Sequence, residues 1–422
     1  MVKPDLIVLC HRIPYPPNKG DKIRSYQFLK FLSTQFNVHL ATYVDDAADE
    51  KYVAYVESLC VSSCIERVKS GAKIYSALIS LFSGQAVTVT HYRSRKIERW
   101  LQDLNERLDS AGVFCISSPM ARFLKNIQLK KTFSYIDYID VDSAKWSQLA
   151  TESRGLFRWI YSREARLLKA YENQIGKDFD KLLFVSKKEA ETFLENNRHT
   201  QELLDDSGFQ HKVAVLSNGV DTDFFDPGIS FIEVYPKNER IIVFTGVMNY
   251  QPNEDAVSWF SRECMPTIKR AIPNAVFYVV GAKPSGFVTN LASEFSCVRV
   301  VGAVQDIRPY IKQAHVVVAP LRLGRGIQNK VLEALAFDKP LVASANALAG
   351  IDENGQLGAI VAQDSSQFST KVIDVLRQSV NGVMPSGTLV NGFCGRTYVI
   401  EHFSWQDRYK KMEEIFNRKS AQ

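Results

Sequence analysis

Lys330 and Glu333 stand three residues apart in the stretch Gly324-Arg325-Gly326-Ile327-Gln328-Asn329-Lys330-Val331-Leu332-Glu333-Ala334. At that spacing they share one helix face, with the lysine about one turn, roughly 5 Å, nearer the N-terminus. An ammonium followed by a carboxylate suits a ligand with negative charge at one end and hydroxyls a few ångströms further on. A sugar nucleotide has that layout, diphosphate first and ribose next. The apolar run ahead, His315-Val316-Val317-Val318-Ala319-Pro320, reads as a buried parallel strand. A strand, a Gly-rich turn and a helix N-terminus aim free N–H groups and the helix dipole at one spot, which makes an anion site.

Four other segments fall where a strand gives way to a helix or turn. In the loop Pro14–Arg24, Gly20 precedes a helix whose first turn holds Asp21, Lys22 and Arg24. Basic residues there oppose the dipole, so they point to an anionic ligand, against the plainer reading of solvated surface charge. Asp137, Asp140 and Asp142 cluster within Tyr135–Ser143 at a strand end. Such carboxylates could bind a metal or sugar hydroxyls, or cap the helix that begins near Ala144. Asn218-Gly219 marks a tight turn and reads first as structural. Gly246, between Phe244 and Asn253, would let a ligand approach the backbone closely. The basic, partly amphipathic stretch Arg154–Lys169 has two readings: a helix lying on an anionic membrane, or a packed helix with a solvated face. No nucleophile–histidine triad can be argued. A Gly-x-Gly-x-x-Gly turn after the first strand is absent, which argues against a dinucleotide dehydrogenase.

The elements that must position these residues alternate strand and helix. Strands are expected at Leu6–Cys10, Val38–Tyr43, Val113–Ile116, Phe133–Ile139 and Leu182–Val185, with a helix from Asp21 to about Gln35. A second series runs Ile241–Phe244, a helix over Val257–Ile268, then Val276–Val280, Val298–Val300, Val316–Ala319 and Pro340–Ala343. This is the pattern of parallel α/β sheets. With 422 residues, two domains are expected. Their boundary is placed near Asp226–Asn238, where Asp-Pro-Gly and Tyr-Pro-Lys-Asn interrupt the pattern. That gives an N-terminal domain over 1–230, a C-terminal domain over 238–400, and a terminal helix over 401–422 able to pack back on the first domain.

Hydrophobic residues make up 45% and charged residues 23%, as in an ordinary globular protein. No apolar stretch approaches the roughly 20 residues that span a bilayer. The seven cysteines are scattered, which suits reduced thiols in the cytoplasm. Cys60 and Cys64 have helical spacing but no second pair, so they read as buried thiols rather than metal ligands. The net charge of +6 permits an anionic ligand or membrane surface, and no nucleic-acid-binding motif is present.

Taken in order, these segments resemble the retaining GT-B glycosyltransferases of family four. The resemblance rests on Asn218-Gly219-Val220-Asp221, Gly246, Val300–Asp306, Val318-Ala319-Pro320, Lys330-Val331-Leu332-Glu333-Ala334, Lys339-Pro340-Leu341-Val342 and Phe403-Ser404-Trp405. Two further stretches, Arg12–Ser25 and Asp140–Trp146, are similar to the sugar transferases associated with exosortase (PEP-CTERM) and exopolysaccharide clusters. The resemblance implies two Rossmann-like doubly wound domains facing a central cleft. It implies transfer of a sugar from a nucleoside diphosphate sugar to a glycan or lipid-linked acceptor, with retention and no cofactor or metal. Gly246, Arg322, Gly324, Arg325, Gly326, Ile327, Asn329, Lys330, Leu332 and Glu333 would hold the donor. Lys330, Gly20 and Asp140 would serve the chemistry, and Lys22, Arg24, Asp137 and Asp142 the acceptor side. The sequence departs from that family at one of its two glutamates: Glu333 matches the second, assigned to the ribose, while Arg325 stands at the first. A guanidinium cannot accept a hydrogen bond from a sugar hydroxyl. The family's Arg and Lys after the glycine are replaced by Asn249, Tyr250 and Gln251, leaving Lys330 and Arg322 to supply that charge. Its first-domain histidine has no counterpart, Ser117 and Ser118 standing at the similar strand end. A GT-B-like sugar-nucleotide epimerase and a non-catalytic nucleotide-binding scaffold are the alternatives. A cytoplasmic protein is expected, with a peripheral position on the inner membrane face left open.

Overall fold

Leu6–Cys10 and Val113–Ile116 carry no polar side chain, which suits strands covered on both faces. In the computed structural model every one of these residues is buried. The structure describes residues 3–68, 79–80, 83–125, 127, 130–197, 209–323, 327–351, 355–378 and 394–417. The chain divides into two compact units, Met1–Leu216 and Ser217–Gln422.

In the first unit, β1 (Asp5–Cys10), β2 (Asn37–Val44), β3 (Ser62–Arg67), β4 (Ala111–Ile116), β5 (Lys131–Ile139), β6 (Lys181–Phe184) and β7 (Val213–Val215) form one sheet. All pairs are parallel, in the order β3-β2-β1-β4-β5-β6-β7. Strand succession runs outward from β1 on one side and from β4 on the other, so the topology reverses between them. The helices that bear on function are α1 (Gly20–Gln35), α2 (Asp142–Glu152) and α3 (Gly155–Asp178). Alternate residues Ile7 and Leu9, Val113 and Cys115, Ile136 and Tyr138 join one core cluster. Their neighbours Leu6, Val8 and Phe114 are buried as well, as a sheet covered on both faces requires.

The second unit repeats the plan. Its strands β8 (Arg240–Thr245), β9 (Ala275–Val280), β10 (Val298–Gly302), β11 (Val316–Ala319), β12 (Leu341–Ala343) and β13 (Ile360–Val361) run parallel in the order β10-β9-β8-β11-β12-β13. The reversal here lies between β8 and β11. Relevant helices are α4 (Gln251–Trp259), α5 (Asn329–Ala336), α6 (Gly395–Phe403) and α7 (Trp405–Asn417).

Three strands were not expected: β3, β7 and β13. β3 and β7 are the edges of the first sheet and β13 is an edge of the second; β3 is polar, while β7 and β13 are apolar but only three and two residues long. The helix expected over Val257–Ile268 begins at Gln251, because Pro252 sits in its first turn, where proline fits, and does not break it. It passes through a π-helical turn at Phe260–Cys264 before continuing over Met265–Ala271. The units part between Leu216 and Ser217, ahead of the 226–238 segment expected. The residues between are held in the second unit. Val220 N–H donates to the Phe403 carbonyl at 2.7 Å, and Trp405 N–H donates to Val220 at 3.2 Å. A Cβ on Gly219 would lie 3.0 Å from the Phe403 carbonyl oxygen, so this glycine serves close backbone approach. Phe225 packs edge-on against Phe337 at 5.4 Å.

One buried ion pair ties α1 to the first sheet. Arg24 and Asp137 are both fully buried; the guanidinium donates to the carboxylate at 2.6 and 2.8 Å and to the Leu216 carbonyl at 2.6 Å. Removing one partner of such a pair strands a charge in the core. Asp137→Ala should lower the unfolding free energy by about 3–5 kcal/mol, measured by urea titration. A loss under about 1 kcal/mol would show that water reaches the pair.

Candidate functional site

In doubly wound sheets, ligands bind beyond the carboxyl ends of the strands where the order reverses. In the second unit that place is the end of β8 and β11. The chain leaves β8 at Gly246, whose φ is 152°. Gly281, at the end of β9 with φ of 154°, faces it: a Cβ there would lie 1.7 Å from the Gly246 carbonyl oxygen. Two backbones therefore meet where no side chain fits. A Cβ on Gly246 would come within 2.7 Å of the Asn253 amide nitrogen.

Asn253, buried in the first turn of α4, joins this turn to α5. Its Nδ2 donates to the Val247 carbonyl at 2.9 Å, and its Oδ1 accepts from Lys330 Nζ at 2.6 Å. The Lys330 ammonium also lies 4.4 Å from the centre of the Phe244 ring. Lys330 is 8% exposed. Burial lowers its pKa to about 7, against the opposing pull of Glu333. Burial likewise pushes the half-buried Glu333 up to about 7, with Lys330 opposing. A lysine in this setting gains most from an anion, because its nearest hydrogen-bond partner is a neutral amide. Asn329, the first residue of α5, has a buried Oδ1 with no hydrogen-bond partner. The N-cap residue Gln328 makes no side-chain cap to the helix. The start of α5 thus combines uncapped amides, a buried cation and an unsatisfied amide oxygen.

The other donor-side expectations divide. Gly324, Arg325 and Gly326 lie outside the described residues. Arg322 makes a two-pronged ion pair with Asp255, so its charge is already matched and it is a poor replacement for the missing Arg and Lys. Leu332 is fully buried in the core and fixes α5 with no side-chain polar group to offer, while Ile327 is partly buried against the same core. Among the described residues no group of three or more His, Cys, Asp or Glu is placed to hold a metal ion.

In the first unit, the expected acceptor-side charges are matched internally. Lys22 Nζ pairs with Asp49 at 2.8 Å, both buried, and Arg24 pairs with Asp137. The sequence gives no sign of these partners, which are remote along the chain. Asp140 and Asp142 bracket Lys145 at 2.8 and 3.2 Å, and all three carry some exposure. Ile139, just before them, has φ of 65°, a strained value for a β-branched residue. Gly20 opens α1, and a Cβ there would meet nothing within 4 Å, so the fold of this unit places no steric demand for glycine there.

A cluster that sequence reasoning missed lies at the β1/β4 reversal. His11 follows β1 directly and is 9% exposed. Its Nε2 is 3.4 Å from Asp21, which also binds Arg12 at 2.7 Å; Arg12 in turn reaches Asp45 at 2.8 Å. Burial alone would lower the imidazole, but Asp21 and Cys10 together outweigh it and raise His11 to about 9. Against the upward pull of burial, His11 and Arg12 hold the Asp21 carboxyl well below the usual range. His11 Nδ1, Thr42 Oγ1 and Ser118 Oγ are buried without partners. By register they share one end of the sheet, since Cys10 pairs with both Thr42 and Ile116. The one available signal was position: a histidine immediately after the first strand.

The folded protein releases the Lys330 proton near pH 7, whereas the unfolded chain keeps it to about 10.5. In that window the unfolded state binds more protons, so stability rises with pH. Lys330→Met should flatten this rise and, by removing a buried cation, leave the protein at least as stable near pH 7. Unfolding free energies from pH 7 to 10 for both proteins test this; parallel slopes would refute it.

Residues 239–378 match the family model described as glycosyl transferases group 1. A Klebsiella pneumoniae protein described as an uncharacterized 44.6 kDa protein in cps region is 21% identical over 379 residues, covering 87% of this chain and 90% of its own. Among solved structures, sucrose-phosphate synthase from Thermosynechococcus elongatus aligns over 99% of both chains with a TM-score of 0.61 and 15% identity. Anabaena HepE in complex with UDP and glucose aligns over 98% of this chain and 99% of its own, with a TM-score of 0.61 and 10% identity. A glycosyltransferase from Rickettsia africae covers 98% of each chain with a TM-score of 0.59 and 14% identity. The fold is GT-B, and the match to glycosyl transferases group 1 spans the residues that bring Gly246, Asn253, Lys330 and Glu333 together.

Proposed function

We propose that this protein is a retaining glycosyltransferase that moves a sugar from a nucleoside diphosphate donor to a glycan or lipid-linked acceptor. The observation that carries the reading is the buried Lys330 ammonium at the start of α5, held by a neutral amide beside two backbone glycines. The family match over residues 239–378 supports the donor class, as does the binding of UDP and glucose by the HepE neighbour. The difficult step is departure of the diphosphate from an oxocarbenium-like centre. Lys330 and the amides at the start of α5 stabilise the charge that grows on that leaving group. Glu333 accepts hydrogen bonds from the ribose hydroxyls as a carboxylate, a form its raised pKa confines to neutral pH and above. The leaving phosphate takes the acceptor proton, so neither a protein base nor a metal is required. The resemblance of Arg12–Ser25 and Asp140–Trp146 to exosortase-associated transferases supports a role in exopolysaccharide or cell-surface glycan synthesis, in the cytoplasm and against its membrane.

Lys330→Ala should abolish transfer. Glu333→Ala should weaken nucleoside diphosphate binding by roughly 1–3 kcal/mol. A screen of nucleotide sugars by calorimetry, followed by turnover of the best donor in each variant, tests both. Unchanged turnover in the two variants would overturn the assignment, and absence of nucleotide binding by the wild type would favour a scaffold.

A further inference from the structure

Helix α3 is packed along one part of its length and bare along another. Its middle is anchored: Glu164 accepts from Val87 N–H at 2.7 Å and from Thr88 N–H and Oγ1 at 2.8 and 2.7 Å. Leu168 is fully buried, and Arg163 donates to Ser80. Among the described residues no such hydrogen bonds hold the first two turns, where only Tyr161 meets a ring outside the helix, Trp146 of α2, at 5.5 Å. Leu156 is 69% exposed, Phe157 61%, Trp159 57% and Ile160 37%. Leu149, near the end of the preceding helix α2, is 42% exposed. Scattered apolar residues on a surface need no explanation, but four within five positions make a patch that does.

The arrangement selects the partner. With a 100° step, Leu156, Phe157, Trp159 and Ile160 fall within an arc of about 160°. Arg154 and Arg158 fall on the opposite side, and no acidic residue occurs from Ser153 through Arg163. A helix about 10 Å across that sinks roughly 5–10 Å into the acyl boundary brings guanidiniums on its far side to headgroup level. Long arginine stems reach phosphates from there. Tryptophan is enriched at that interface. The geometry points to the first two turns of α3 as a membrane-docking element for an anionic phospholipid surface. The apolar arc would insert and the two arginines would bind headgroup phosphates. This names the surface on which a lipid-linked acceptor would be met. It rests on the proposed transfer only for its purpose, since docking needs no donor.

The full-length chain is sedimented with vesicles of phosphatidylcholine alone and of equal parts phosphatidylcholine and phosphatidylglycerol. The wild type should bind the anionic vesicles, and Phe157→Ser/Trp159→Ser should bind them at least about tenfold more weakly. Arg154→Gln/Arg158→Gln should lose most of the preference for anionic over neutral vesicles. All four positions are exposed, so the variants should melt as the wild type does and titrate UDP with unchanged affinity. Failure of the wild type to bind anionic vesicles, or equal binding by the serine variant, would overturn the proposal. So would light scattering that shows the serine variant losing only self-association, which would make this face a contact between copies. Vesicle binding without UDP binding would leave the docking element standing and remove the proposed donor class.

Discussion

The candidate donor site depends on one hydrogen bond, from the Lys330 ammonium to the Asn253 amide oxygen. A lysine buried to this degree is ordinarily matched by a carboxylate. Here the direct partner is neutral, and the carboxylate on the same helix, Glu333, is itself pushed toward its protonated form by burial. Among the described residues, the ammonium therefore has a neutral amide and a carboxyl inclined to stay protonated as its neighbours. Asn253 also ties the Gly246 turn to α4 through the Val247 carbonyl, so the cation, the turn and the start of α5 are fixed relative to one another. The close approach of Gly246 and Gly281 completes the frame. Preorganisation of this kind lets a cation act on a developing charge without first rearranging.

The central strands of both sheets were legible because burial on both faces demands unbroken apolar runs, as in Val316–Ala319. Edge strands were not: Ser62–Arg67 carries serine, glutamate and arginine because water reaches much of it. The local logic of the donor side was also legible, since Lys330, Glu333 and the preceding strand are neighbours in sequence. What escaped were pairings set by the fold. Asn253 is 77 positions from Lys330, and Asp137 is 113 from Arg24. Lysine and arginine in the first turn of α1 therefore read as ligand contacts, yet they are structural charges with remote carboxylate partners.

His11 shows the same limit from the other side. A lone histidine after a strand carries no pattern. Its setting, with Asp21, Arg12 and Asp45 around the end of β1, emerges once α1 folds back over the sheet. The uncovered first two turns of α3 were visible as composition but not as exposure. The sequence shows arginines and apolar residues mixed along the whole of Arg154–Lys169, whereas the fold packs the later turns and leaves the earlier ones bare.

The ion pair of Arg322 with Asp255 has a consequence for how such a protein can diversify. Just before it, the Leu321 carbonyl accepts from Ser344 Oγ at 2.6 Å, and the Arg322 carbonyl accepts from Asn346 Nδ2 at 2.8 Å. On the far side of residues 324–326, Ile327 packs on the core and Lys330 is locked to Asn253. Residues 324–326, assigned to the donor under the proposed function, are thus flanked in sequence by two anchors that belong to the scaffold. None of those anchoring contacts is made by residues 324–326. Under the proposed transfer, sugar preference and stability rest on different residues, the first on this short interval and the second on its anchors.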